Sequence, residues 1–176
     1  MKIMSKIILL AVSFMISSFT NLQPTEGVKT ENVIAVYLYN FTKFFDWKED
    51  NSEFFTIIVL GKSKITESLF KIASKEKVKG KSIVVNEISD LYSIDFCNIL
   101  FLPTSNKDVF NDTLKKTKGK KVLIVTNSEG FAEKGAGINF LQIDNKIKFE
   151  INRKVLNEKG IVPNSSLLSL AYKIYE

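Results

Sequence analysis

Histidine is absent from the 176 residues, and cysteine occurs once, at Cys97. Those two facts remove Ser-His-Asp and Cys-His nucleophilic catalysis, along with the commonest metal ligand. Thiolate zinc and iron–sulfur sites go with them. Carboxylates are left, and the only paired acids in a motif-like setting are Glu49-Asp50, in a polar stretch that reads as solvated. Gly61-Lys62-Ser63 lies between a strand-like and a helix-like segment, as a phosphate-binding loop does. That loop, G-x-x-x-x-G-K-[ST], needs a further glycine five residues before Gly61. Thr56 stands there, inside the strand, with its amide committed to a sheet. Gly130, Gly135 and Gly137 form no G-x-G-x-x-G fingerprint and read as turn glycines with positive φ. The sequence therefore predicts a non-enzyme without cofactor or metal.

Two polar groupings are candidates for binding. Six aromatic residues lie between Tyr37 and Trp47. Most have the spacing of a core face, but Tyr39 and Trp47 fall off it. With Lys43 they form a candidate contact surface for a partner; the competing reading is helix packing with Trp47 as a lid on the core. The second grouping is Asn139, Glu150 and Asn152. In a hairpin, Glu150 and Asn152 share one face. They could surround a small polar ligand, or they could satisfy backbone groups at the end of a sheet.

The elements that must hold these residues alternate. Thr30 is a candidate helix cap. From Glu31 the apolar positions Ile34, Tyr37/Leu38, Phe41 and Phe44/Phe45 mark one helical face, to about residue 45. Residues 54–60 form a continuous apolar run, as in a strand buried on both faces. A helix over 66–74 follows, then strands at 82–88 and 98–102, a helix over 106–118 and a strand at 122–126. Residues 137–143 and 146–151 flank Asp144-Asn145 as a hairpin. A short helix at 155–158 and a last helix from Ser165 or Ser166 through Tyr175 complete the chain. Strand–helix alternation predicts an α/β fold: a mostly parallel sheet with an antiparallel edge hairpin, flanked by helices, in a Rossmann-like sandwich. It forms one domain over residues 28–176.

The start of the chain sets the compartment. Lys2 and Lys6 precede an uncharged apolar run over 7–16, and Ser17, Ser18 and Thr20 follow. This is the layout of a secretory signal peptide, assigned to residues 1–22, and it predicts export. Its removal takes two lysines and no acid, so the formal charge falls from +6 to +4. The lysines are interspersed with acids, and Arg153 is the one arginine. Arginine is the side chain suited to forked contacts with phosphate and guanine, so nucleic acid is not the expected partner. Cys97 has no cysteine to pair with and reads as a small buried strand residue.

The same segments resemble the YfiR/HmsC-like family of periplasmic regulators, over about residues 33–171. Tyr39-Asn40-Phe41-Thr42-Lys43-Phe44 with Trp47 resembles the family's Y-N-F-x-K-F-x-x-W. Gly80 to Val85, Cys97 to Leu102, Val122 to Thr126 and Gly130-Phe131 are similar to its successive strand and turn motifs. Gly135 to Phe140 resembles G-x-[MI]-[IV]-N-F, Ile147 to Asn152 resembles [IV]-[RK]-F-[EQ]-[IV]-N, and Ser165 to Ala171 resembles S-S-x-L-L-x-L-A. The resemblance implies a non-enzymatic protein that sits in the periplasm and restrains an inner-membrane signalling partner. That partner is typically a diguanylate cyclase with a periplasmic domain, whose release raises cyclic-di-GMP and promotes biofilm formation. A sensor kinase is the other partner it implies, and homodimers occur in the family. Where the family carries C-H, this chain has Cys97-Asn98, and it lacks the paired cysteines of redox-responsive members, so disulfide control is not expected.

Overall fold

The computed structural model describes residues 29–47, 52–94 and 96–176. The export segment and Glu49-Asp50 lie outside them. Helix α1 (Thr30–Phe44) buries Ile34, Ala35, Leu38, Tyr39, Phe41 and Thr42, the three-and-four spacing of one face. Lys29 occupies the capping position without a side-chain bond to the helix's first amides, and Thr30 is the first helical residue rather than the cap. Strand β1 (Phe55–Leu60) leads through α2 (Ile65–Ala73) to the short β2 (Lys77–Val78) and to β3 (Lys81–Ile88). A 3-10 turn at Leu91–Ser93 precedes β4 (Ile99–Leu102), α3 (Lys107–Lys116) and β5 (Leu123–Thr126). The chain closes with β6 (Ile138–Ile143), β7 (Lys146–Asn152), α4 (Arg153–Glu158), α5 (Ser165–Leu170) and β8 (Lys173–Tyr175).

The eight strands form one sheet in the order β2-β3-β1-β4-β5-β6-β7-β8. Five neighbouring pairs are parallel; β2/β3 and β6/β7 are antiparallel. The expected α/β architecture is the observed one. β4 and β5 are buried at every position, because helices or loops cover both of their faces. Asp144 and Asn145 turn the hairpin with φ of 49° and 58°, the left-handed pair that matches the twist of the strands.

Three further local expectations change. The last helix stops at Leu170, and residues 173–175 add β8 alongside β7, placing the hairpin one strand in from the edge. Tyr172 donates its N–H to Phe149 O at 2.8 Å, which pins the chain to the sheet. Cys97 is fully buried but precedes β4 instead of lying in it. Gly130 and Gly135 have φ of 76° and 126° as expected, whereas Gly137 is required for space. A Cβ there would meet Leu156 Cδ2 at 2.7 Å and Leu123 Cδ1 at 3.0 Å.

Alternation along the strands divides the apolar residues between two cores. Ile57, Val59, Ile99, Phe101, Leu123 and Val125 face the larger core, under α1, α2, α4 and α5. Ile58, Leu60, Leu100, Leu102 and Ile124 face the smaller one, where Phe110 of α3 stacks on Phe131 at 4.1 Å between ring centres.

Candidate functional site

Register builds the first polar group. Thr126 of β5 lies opposite Asn139 of β6, Asn139 opposite Glu150 of β7, and Glu150 opposite Lys173 of β8. Their strand neighbours Val125, Ile138, Phe140, Phe149 and Ile151 face the larger core, so this polar row lies on the other face of the sheet. Thr126 and Asn139 are fully buried and Glu150 nearly so. Asn139 Oδ1 accepts from Thr126 Oγ1 at 2.7 Å and from Ser128 N at 3.0 Å. Asn139 Nδ2 donates to Glu150 Oε2 at 3.1 Å, and Tyr175 OH donates to Glu150 Oε1 at 3.1 Å. Asn152 is spent differently: its Oδ1 caps α4 by accepting from Val155 N at 2.9 Å, and its Nδ2 donates to Ala132 O at 2.8 Å.

Glu150, Lys173 and Tyr175 border a cleft of about 630 Å3 that Glu129 and Glu133 also line. Lys173 Nζ lies 4.3 Å from the Tyr175 ring centre. Its pKa is raised, first by the Tyr175 oxygen and then by the more distant Glu150 and Glu133 carboxylates, which favour the cation. Glu150 thus reaches the cleft wall, while Asn139 and Asn152 stand behind it and hold backbone.

The second group lies on the opposite face, on α1. Tyr39 and Trp47 are buried, contrary to the placement off the main apolar face. Tyr39 OH donates to Glu76 Oε2 at 2.6 Å, and this bond, followed by desolvation, raises the phenol pKa. Trp47 Nε1 donates to Thr42 O at 2.9 Å, and its ring meets Phe55 edge-on at 5.0 Å. The indole can be buried because its one polar atom has found a partner. Lys43 is exposed, with Nζ 4.3 Å above the Tyr39 ring centre. It rims a hollow of about 460 Å3 with Lys79, Asp46 and the exposed Val162. The structure thus brings Asn139 and Glu150 together, and Tyr39 and Lys43 together, on different faces of the sheet.

A further cleft, at the ends of β1 and β4, contains Tyr92 and Lys116. The sequence reading passed over both. The available signal was Asp90 placed two residues before Tyr92 and three before Ser93, the spacing of a side chain that closes a turn on its own backbone.

Among the described residues no three His, Cys, Asp or Glu side chains are placed to hold a metal, and no helix is long and apolar enough to cross a membrane. Fold and site define a class: a single-sheet α/β sandwich whose buried polar side chains bond one another and whose clefts open at strand ends. A family model described as YfiR/HmsC-like matches residues 31–172, and the chain belongs to that family. Its members are in general periplasmic, regulatory and non-catalytic.

No curated protein matches the chain. Among solved structures, the ABC domain from Streptococcus pneumonia in complex with L-Trp is similar, at 15% identity and a TM-score of 0.50. The match covers 68% of this chain and 55% of that one. A conserved domain protein from Vibrio cholerae O1 biovar El Tor is similar at 10% identity and a TM-score of 0.54, over 80% of this chain and 60% of that one. The chain therefore spans little more than half the length of either, and at these identities the likeness is one of fold.

Proposed function

We propose that the protein is a periplasmic regulator that binds and restrains an inner-membrane signalling protein of the diguanylate cyclase type, and so influences cyclic-di-GMP and biofilm formation. The observation that carries this reading is the family match over residues 31–172. Restraint of this kind is linkage: the protein must bind one state of its partner better than another. The contact surface is centred on Lys43 and the exposed Val162, with Tyr39 and Trp47 setting the end of α1 from beneath.

The test is an affinity capture from crosslinked native membranes, identified by mass spectrometry, with the mature protein as bait. Recovery of a membrane diguanylate cyclase or sensor kinase supports the reading; background alone from folded bait sinks it. Lys43→Glu is expected to weaken capture about tenfold, or 1.4 kcal/mol, at unchanged melting temperature. Equal capture by this variant would move the contact surface elsewhere.

A second reading rests on the cleft bordered by Glu150, Lys173 and Tyr175. There the protein is a small-molecule sensor serving a histidine kinase or another membrane receptor, with Glu150 at the wall and Asn139 and Asn152 behind it. The L-Trp complex of the similar streptococcal domain is consistent with a ligand-binding use of this architecture. A ligand that binds only the native state must raise the melting temperature. A flat thermal response to a panel of amino acids and nucleotides would count against this reading.

A further inference from the structure

The order of strands reverses between β1 and β4. From β1 the chain moves outward to β3, then returns past β1 to β4 and continues to β5. Helix α2, after β1, packs on the larger core, while α3, after β4, packs on the smaller one. The two connections therefore leave neighbouring strand ends for opposite faces, and a crevice opens between them. This is where open α/β sheets place ligands. Here the crevice has a volume of about 880 Å3, within the ~300–1,000 Å3 that suits small organic molecules. It shares no lining residue with the hollow at Lys43 or the cleft at Glu150.

Its lining is selective. Leu60, Leu102 and Val109 provide apolar wall. At the rim stands Tyr92, 91% exposed, far more than any other large apolar side chain among the described residues. Its position is fixed by the turn beneath it. Asp90 Oδ1 accepts from Tyr92 N at 2.8 Å and Ser93 N at 3.1 Å, and Ser93 Oγ lies 3.2 Å from both Asp90 oxygens. A well-closed turn thus holds an aromatic ring in water, where it buries almost nothing of its own. Lys116 Nζ is 5.9 Å from the centre of that ring. The adjacent Lys115 is paired with Asp112 at 3.0 Å, whereas Lys116 meets, among the described residues, only the ring. The cleft offers an apolar slot, one aromatic face and one cation.

We propose that this cleft binds a small planar aromatic carboxylate, its ring on Tyr92 and the Leu60–Leu102–Val109 wall, its carboxylate toward Lys116. Phosphate esters fit less well, because they favour several converging donors or an arginine fork. Asp112 is already paired with Lys115, and Asp90 accepts from the amides and hydroxyl of its own turn, so a cationic ligand would compete with bonds already made.

Methyl-resolved NMR of the mature protein titrated with indole-3-acetate tests this. Saturable shifts are expected at the Leu60, Leu102 and Val109 methyls, with a Kd of about 1 mM or tighter. Tyr92→Ala and Lys116→Gln should each weaken binding about tenfold without moving the melting temperature, because both side chains are exposed. Tyr92→Phe should retain binding, since the ring is kept. Tryptamine, with the same ring and the opposite charge, should not saturate the site. No saturable shift, shifts confined to residues elsewhere, or equal binding of tryptamine would each overturn the proposal. Membrane capture by Tyr92→Ala is read separately, so failure of this site and failure of the partner-binding reading are distinguishable.

Discussion

Asn139 accepts two hydrogen bonds and donates one while fully buried, so its removal strands three groups at once: the Thr126 hydroxyl, the Ser128 amide and one oxygen of Glu150. A buried polar group left without a partner costs about 1–3 kcal/mol. Asn139→Ala is therefore expected to lower stability by about 3 kcal/mol in urea unfolding, and a loss below about 0.5 kcal/mol would show that water replaces the amide. Cys97 makes a second prediction, in pH. Burial pushes its thiol up to about 12, while an exposed thiol ionises near 8.5. Between those values the native state keeps a proton that the unfolded chain has lost. Stability from this group is thus fully present below about pH 8.5 and falls as pH rises through the window. The wild type should lose stability relative to Cys97→Ala between about pH 9 and pH 11; a constant difference would mean the thiol ionises as readily in the folded protein. The burial of Cys97 was legible in its apolar neighbours. The pairing of Asn139 with Thr126 was not, because it depends on the parallel register of β5 and β6, which leaves no local mark in either segment.

Elements were legible where one period ruled a segment. The aromatic spacing of α1 and the unbroken apolar runs of β1, β4 and β5 each admit one solution in a covered sheet. The end of the chain misled because Leu167, Leu168, Leu170, Ala171, Ile174 and Tyr175 fit helical spacing. Tertiary pairing overrides that preference: Ala171 turns to φ −67° and ψ 139°, and Tyr172 joins β7. The burial of Trp47 matches the reading of it as a lid on the core; what left no mark in the sequence is the carbonyl that satisfies its indole, Thr42 O in the last turn of α1. Gly137 shows how closely the elements approach. Leu156 of α4 and Leu123 of β5 converge on it, and both are fully buried with no room to withdraw. Overpacking a filled core costs about 1–3 kcal/mol. Gly137→Ala should cost about that much, measured by chemical denaturation. An unchanged midpoint would mean that α4 can shift away from the sheet.

At the scale of the whole molecule, one sheet separates two unequal cores, and the question is whether they melt together. Alternate residues of the same strands serve both: Ile57 and Val59 the larger, Ile58 and Leu60 the smaller, with β4 and β5 divided in the same way. Neither core can open without removing one wall of the other. Phe110 and Trp47 give a direct test from opposite sides of the sheet. Phe110 is buried in the smaller core and stacks on Phe131. Trp47, the only tryptophan in the chain, lies in the larger one. Removing the Phe110 ring should cost about 3–5 kcal/mol through lost burial and the cavity left behind. If the sheet couples the cores, Phe110→Ala unfolds in one transition at lower temperature. Trp47 fluorescence, remote from the substitution, then shifts by the same amount as the far-ultraviolet circular dichroism. Separate midpoints would instead show that the layer of α3 and the Leu91–Ser93 turn opens alone. That outcome has a functional edge, because this layer supplies Tyr92, Val109 and Lys116 to the cleft, which Leu60 and Leu102 of the sheet also line. A layer that opened independently would tie occupancy of that cleft to a local equilibrium, whereas a single transition makes the cleft as persistent as the fold itself.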